Sequence, residues 1–404
     1  MKNKCIKSLA LITAGMTCTT GHSAETFAEA FSNGKASLSF RYRYEYVDQD
    51  IFDRDANAST VRTRLNFKTE EYNGLTFFIE ADNVTEVFSD NYNAGAGNTP
   101  TRGEFPVVAD PTGTEINQAW FNWGFGEHGV KIGRQRIVLD NQRFIGGVAW
   151  RQNEQTFDAA SLDLNFANSR LFLSYVDDVN RIFGDDVPAG HHDSETLIAN
   201  WAFTLQEKHK FVAYYYDIDN EDVAAFSTST LGASYKTHWM LGEQKMNFGL
   251  EFATQSDAAN NPVDYDADYL RLDAGLDFNQ FNLFAGYEVL EGDTNRGGAA
   301  FRTPLATLHA FNGWADLFLA TPGTGIEDTF IGIKSRNGGR FNWRIVYHQF
   351  DAESGSLNYG NELDASISTK ISKHMSLLLK AAQYDADEFG TDTTKFWVML
   401  TTKF

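Results

Sequence analysis

Two pairs of arginines, Arg41 with Arg43 and Arg62 with Arg64, carry the first chemistry legible in the chain. A guanidinium is a lasting cation whose planar fork of donors matches a carboxylate or phosphate. Residues of this kind bind anions; they supply neither a nucleophile nor a base. Lys68, Arg271 and Arg344 extend the set, and Arg134, Arg136, Arg143 and Arg151 form a second group. The acids Glu45, Glu80, Asp82, Asp273, Asp277 and Glu288 fall on the same alternate positions as the first group. They are expected to face the basic residues across a shared space and set up a transverse field. No G-x-S-x-G, H-E-x-x-H or Walker loop occurs, and the nine histidines are scattered. Enzymatic activity is therefore not expected.

The elements that must position these side chains have a period of two. Leu38, Phe40, Tyr42, Tyr44 and Tyr46 alternate with Ser39, Arg41, Arg43 and Glu45. Val61, Thr63, Leu65 and Phe67 alternate with Arg62, Arg64, Asn66 and Lys68. Leu270, Leu272, Ala274 and Leu276 do so with Arg271, Asp273 and Asp277. Successive side chains of a strand point to opposite faces, so each run has one apolar face and one charged face. In a membrane barrel the apolar face meets lipid and the charged face wets a lumen. The pattern predicts an all-β chain: a single transmembrane antiparallel barrel of about eighteen strands, with sixteen as the fallback. Asn73-Gly74 and Ala167-Asn168 read as short periplasmic turns, and residues 84–113 and 257–264 as longer outer loops. Residues 309–320 could pass for a further strand, but an odd count would leave Phe404 on the outer side. Residues 292–325 are therefore read as one long outer loop with a helical turn. The last run, Phe396, Val398, Leu400, Thr402 and Phe404, ends in an aromatic and resembles a signal for the barrel-assembly machinery.

Residues 1–24 read as a signal peptide, with Lys2, Lys4 and Lys7 before an apolar stretch from Leu9 to Met16. Its removal would take both cysteines, Cys5 and Cys18, and move the formal charge from −20 to −23. Residues 25–404 would then form one thiol-free barrel domain in the Gram-negative outer membrane. So acidic a chain has no footprint for nucleic acid.

The expected partners are lipopolysaccharide, outer-membrane lipid and small polar solutes. Arg134 and Arg136 share the parity of Val130 and Ile132, so the strand must bulge or both must lie at the rim. The preferred reading folds the 138–153 loop inward, adding Arg134, Arg136, Arg143 and Arg151 to a constriction; a rim that binds lipopolysaccharide phosphates is the rival. Asp264, Asp266 and Asp268 form an oxygen-rich cluster of the sort that can hold a structural Ca²⁺. No other cofactor is expected. Tyr214 to Tyr216, Trp201 and Trp239 are read as an aromatic girdle, and Trp314 as either a sugar contact or a packing residue.

Two stretches carry a family likeness. One runs from Gly133-Arg134-Gln135-Arg136 through Asn141-Gln142-Arg143-Phe144-Ile145-Gly146 to Trp150-Arg151-Gln152-Asn153 and Phe157-Asp158. The other is Phe311-Asn312-Gly313-Trp314-Ala315-Asp316, followed by Thr321-Pro322 and Gly325-Ile326-Glu327-Asp328. Together they resemble the alginate export family of outer-membrane β-barrel porins. The resemblance implies an eighteen-stranded channel with an arginine-bearing lumen, and it alone implies that the chain is a monomer. It would give passive diffusion of small polar or anionic solutes, among them uronate or alginate-type oligosaccharides. A structural or adhesin-type barrel without an open pore is the alternative, and an outer-membrane hydrolase is another.

Overall fold

Alternation is realised along the whole described chain. The computed structural model describes residues 24–296, 299–336 and 339–404; apart from Ala24, the expected signal peptide lies outside them. The first six strands are β1 (Lys35–Gln49), β2 (Ala56–Lys68), β3 (Leu75–Asn91), β4 (Gly113–Phe125), β5 (His128–Gln135) and β6 (Thr156–Phe166). Next come β7 (Ser169–Asn180), β8 (His191–Leu205), β9 (His209–Ile218), β10 (Thr228–Leu241), β11 (Gln244–Asp257) and β12 (Asp266–Asp277). The last six are β13 (Phe281–Leu290), β14 (Ile326–Ser335), β15 (Phe341–Asp351), β16 (Asn358–Lys370), β17 (Met375–Ala386) and β18 (Thr393–Lys403).

All eighteen form one antiparallel sheet, and β1 pairs with β18 to close it. Closure leaves no strand edge with unpaired backbone groups, which a bilayer core would not tolerate. Phe404 continues the seam, its N–H donating to Leu38 O at 2.9 Å.

The wall has two characters. Leu65, Phe121, Ile132, Leu231 and Ile331 point outward and are more than half exposed. An apolar belt of this extent would be an aggregation surface in water and is a lipid contact in a membrane. Arg41, Arg43, Glu45, Arg62, Arg64, Glu80 and Asp82 point inward and are buried.

Bulges cluster where the inner face has to be re-aimed. Between β3 and β4 the register shifts at Glu80/Ala81, so that Asn117 is an extra residue. Asn117 Nδ2 and Gln118 Nε2 then both donate to Glu80 Oε1, at 2.8 and 3.0 Å.

The short connections lie at the end that holds Phe404 and the long ones at the other. Strand β3 runs to Asn91, so the loop expected from residue 84 starts later. Residues 309–320 form no strand of the barrel, and the helical turns of the 292–325 loop are 3-10 turns at Thr294–Arg296 and Leu308–Ala310. Among the described residues one α-helix, α1 (Phe27–Ser32), precedes the barrel. Its capping box of Thr26 and Glu29 fixes its start, and Phe31 stacks on Phe67 and Phe77 at 6.2 Å. This helix was not expected from the period-two pattern.

Tyr214 and Tyr216 correct the girdle expectation. Strand parity turns both inward, where they stack at 4.9 Å and are buried, while Tyr215, Trp201 and Trp239 do face outward.

Candidate functional site

Two long loops, residues 92–112 and 136–155, turn into the lumen and meet the arginines of β1 and β2, and a third, the 291–325 loop, packs on the second of them. In the register, Arg41 stands directly opposite Arg62, and Ser39 opposite Arg64, so the guanidinium groups crowd one patch of wall. Like charges this close are unfavourable in a dry interior unless they are compensated.

The loops supply the compensation. Arg41 donates from Nε to Gln152 Oε1 and from Nη1 to Ala149 O, both at 2.9 Å. Its Nη2 donates to Arg151 O. Arg43 pairs with Glu45 at 2.8 Å and with Asp110 of the 92–112 loop at 3.2 Å, and its guanidinium lies 4.2 Å from the Trp150 ring centroid. Arg62 donates to Gln152 O at 3.1 Å.

Glu154 is the hub. It pairs with Arg62 at 3.4 Å, with Arg64 at 2.6 Å and with Arg136 Nε. Burial alone would push the Glu154 carboxyl up, but Arg136, Arg64 and Arg62 hold it well below the usual carboxylate range. Arg64 also pairs with Asp82, and Arg136 with Glu80.

The expected inward fold of the 138–153 loop is therefore present, but its consequence differs. The arginines of β1 and β2 do not stand free in the lumen; they are clamped onto loop carbonyls and carboxylates. Nor do the acids form a separate facing wall. Glu45, Glu80 and Asp82 are paired at short range with Arg43 and Arg151, with Arg136, and with Arg64. Glu288 takes Arg143 at 3.0 Å and Arg271 at 3.3 Å, Asp273 takes Arg271 at 2.9 Å, and Asp277 takes Arg336 at 3.6 Å. Acid and base on one face of neighbouring strands neutralise each other before any long-range field develops.

The 136–155 loop crosses the lumen. Asp140 accepts from Asn200 of β8 at 2.7 Å, Arg143 reaches Glu288 of β13, and Arg151 reaches Glu45 of β1 at 3.0 Å. Gly146 N donates to Leu305 O at 2.8 Å and Thr307 N to Gln142 O at 3.0 Å, which zips this loop to the 291–325 loop. Phe144 sits at the junction, 5.0 Å from Tyr214 and 5.4 Å from Tyr269.

Other expected site residues lie elsewhere. Gly133 adopts φ +117 and β5 ends at Gln135, so Arg136 leaves the strand and turns into the lumen. Arg134 does not join it. It keeps the outward parity of Ile132 and pairs with Asp158 at 2.9 Å. Lys68 is exposed at the periplasmic end, opposite Lys35. Arg344 has no carboxylate within ion-pair distance among the described residues and instead lies 5.0 Å from Phe284 and 5.7 Å from Trp314. Asp264, Asp266 and Asp268 are exposed, with Asp266 and Asp268 on the outward parity of β12, and their ligand atoms do not converge. Among the described residues, the trio whose ligand atoms do converge is Asp178, His191 and Asp193.

A second cluster, not foreseen from the sequence, joins the long loop to β17 and β18. Asp316 accepts from His309 Nδ1 at 2.6 Å and pairs with Lys395 at 3.0 Å and Arg151 at 3.2 Å. Lys380 Nζ lies 2.6 Å from His309 Nε2. A neutral imidazole that donates from Nδ1 to Asp316 and accepts at Nε2 from Lys380 satisfies both contacts. Burial, opposed by Asp316, draws the His309 pKa down to about 3, in keeping with that state. Asp316 is itself held well below its ordinary range: burial would raise it, and His309, Lys395 and Arg151 outweigh that. Lys380 is caged by Trp314 at 3.6 Å and Trp150 at 4.3 Å, and Trp150 stacks on His309 at 4.4 Å. Trp314 is thus a packing residue. Its N–H and that of Ala315 donate to Glu362 Oε1 across the Asn312-Gly313 turn.

Above this cluster, between the loops, lies a cavity of about 250 Å³. Its charged lining side chains are Arg151, Arg181, Lys395 and Asp316.

The family model for alginate export matches residues 34–296 of this chain. The chain belongs to the alginate export family. Solved structures similar to this family member are outer-membrane porin barrels. Pseudomonas aeruginosa OccK9 (OpdG) is 13% identical with a TM-score of 0.72, covering 93% of this chain and 99% of that one. Acinetobacter baumannii OccAB2 is 14% identical with a TM-score of 0.71, at 93% and 99% coverage. Pseudomonas aeruginosa OpdK with vanillate is 12% identical with a TM-score of 0.71, again at 93% and 99%. Comparison with curated protein sequences gives no match. The alginate export barrel described here is an outer-membrane protein with an eighteen-stranded porin fold.

Proposed function

We propose that this protein is a passive outer-membrane channel that favours small anionic solutes. The observation that carries the reading is the outer cavity, whose charged lining is Arg151, Arg181 and Lys395 against Asp316 alone. Cations lining a vestibule raise the local concentration of anions without trapping them, provided that no single site holds the solute tightly. Vanillate, recorded with OpdK, is a carboxylate and supports an anionic cargo. A uronate oligomer is a less natural solute, because the arginines on which it would slide are committed to Glu154, Glu45 and loop carbonyls.

Residues 1–24 act as the export signal in this reading, and the strand ending at Phe404 is the segment handed to the assembly machinery. The barrel works as a monomer in contact with lipopolysaccharide and needs no cofactor, and a bound Ca²⁺ at the outer rim would be structural.

Liposome swelling tests the proposal. Proteoliposomes should swell in isosmotic sodium salts of small carboxylates faster than in chloride salts of organic cations of similar size. Equal rates for both, or no swelling in either, would overturn it.

A further inference from the structure

We propose that the outer cavity is a binding subsite for a compact carboxylate with an apolar body, an aryl or short branched alkyl acid, in preference to a hydroxylated uronate. This rests on the reading of the protein as an anion channel and names the class of anion. Arg181 supplies the anchor. Its Nη1 donates to Pro304 O at 2.9 Å, and no carboxylate lies within ion-pair distance of it among the described residues. Burial draws it down to about 10, so it remains a cation at neutral pH with most of its donors unused. A carboxylate is the group that such a fork accepts best. Arg151 and Lys395, which also line the cavity, share Asp316, and Arg151 is paired with Glu45 as well, so Arg181 is the lining cation without a carboxylate partner among the described residues.

Most of the remaining lining is apolar: Phe52, Val107, Phe183, Leu308 and Leu317 surround the space, with Gln49, Gln155 and His309 as its neutral polar groups. The neutral polar groups are mostly taken. Gln155 Nε2 donates to Gly146 O and Leu305 O, and both His309 nitrogens are engaged by Asp316 and Lys380. A sugar ring entering here would lose water from each hydroxyl with almost nothing to replace it. A phenyl or branched alkyl group would lose only unfavourable contact with water. Size points the same way. A volume of about 250 Å³ falls below the roughly 300–1,000 Å³ of pockets for drug-sized ligands, so it suits one ring and not an oligomer.

Isothermal titration calorimetry on the full barrel in detergent provides the test, with benzoate, benzyl alcohol, acetate and galacturonate as probes. Benzoate should bind at one site at least about tenfold more tightly than each of the other three, since benzyl alcohol lacks the anion and acetate and galacturonate lack the apolar body. Arg181→Gln should weaken benzoate by more than about tenfold, and Phe183→Ser should narrow the gap between benzoate and acetate. The wild-type ranking needs no variant and decides the matter even if a variant fails to fold. Galacturonate or acetate binding as well as benzoate, benzyl alcohol doing so, or no benzoate heat at all would overturn the proposal. Binding does not depend on conduction. A barrel that swells with anions but gives no benzoate heat loses this subsite alone, and one that binds benzoate but never swells loses the channel reading.

Discussion

A single carboxylate, Glu154, decides whether three arginines can share one patch of wall. Removing one partner from a buried charge network leaves the others uncompensated, at about 3–5 kcal/mol for a well-buried group. Glu154→Gln should loosen the 136–155 loop from Arg62 and Arg64 of β2 and leave Arg136 without its partner inside the loop. The expected result is faster cleavage of that loop by added protease in detergent, with the barrel still migrating as folded on unheated gels; unchanged cleavage would mean that the hub does not hold the loop.

His309 offers a pH handle at the same scale. An unfolded histidine titrates near 6.5, whereas this one is held at about 3 by burial, so the proton is taken up by the released state and refused by the packed one. The attachment of the long loop is therefore at full strength above pH 6.5 and weakens as pH falls toward 3. Depression of Asp316 acts in the same direction at the acid end of that window. Protease sensitivity of the 291–325 loop should rise on acidification through this range, and His309→Gln should flatten the profile above about pH 5. An identical profile in that variant would place the titration elsewhere.

Among the elements, the turn at Asn312-Gly313 shows how backbone strain serves the lumen. Gly313 sits at φ +83, and a Cβ there would come 2.2 Å from Glu362 Oε2. Gly313→Ala should break the clasp of the Trp314 and Ala315 amides on Glu362, at about 1–3 kcal/mol for the backbone conformation alone. Thermal loss of the folded gel band should move to lower temperature; no shift would show that the turn relaxes freely.

The strands were legible because period two needs only neighbouring residues. Arg41, Arg43, Arg62 and Arg64 could be given their inward face from Phe40, Tyr42, Val61 and Thr63 alone. Their partners could not. Glu154 lies about ninety positions from Arg64, and nothing local ties the two. Asp316 stood in a recognised motif, but its role depends on Lys395 and His309, which no spacing rule brings together. Tyr214 and Tyr216 were readable in principle, since Tyr215 between them must face the other way.

For the whole molecule, the apolar wall and the charged lumen are one pattern seen from two sides. Ile331 faces outward at 62% exposed. Ile331→Arg should cost about 2–4 kcal/mol if it lies near mid-depth in the bilayer and about 0–1 near an interface. Folding yield into lipid vesicles should fall accordingly, while a full yield would argue against a lipid contact at that position.

We propose that the inward loops leave a water-filled path past the outer cavity, whose charged lining is Arg151, Arg181 and Lys395 against Asp316. The measurement that bears on it most directly is the reversal potential of single channels in a planar bilayer under a KCl gradient. A stable open level with a reversal potential on the chloride side is the predicted result, shifting toward zero in Arg181→Gln. A reversal potential on the potassium side, or a bilayer that stays silent with folded protein inserted, would contradict it.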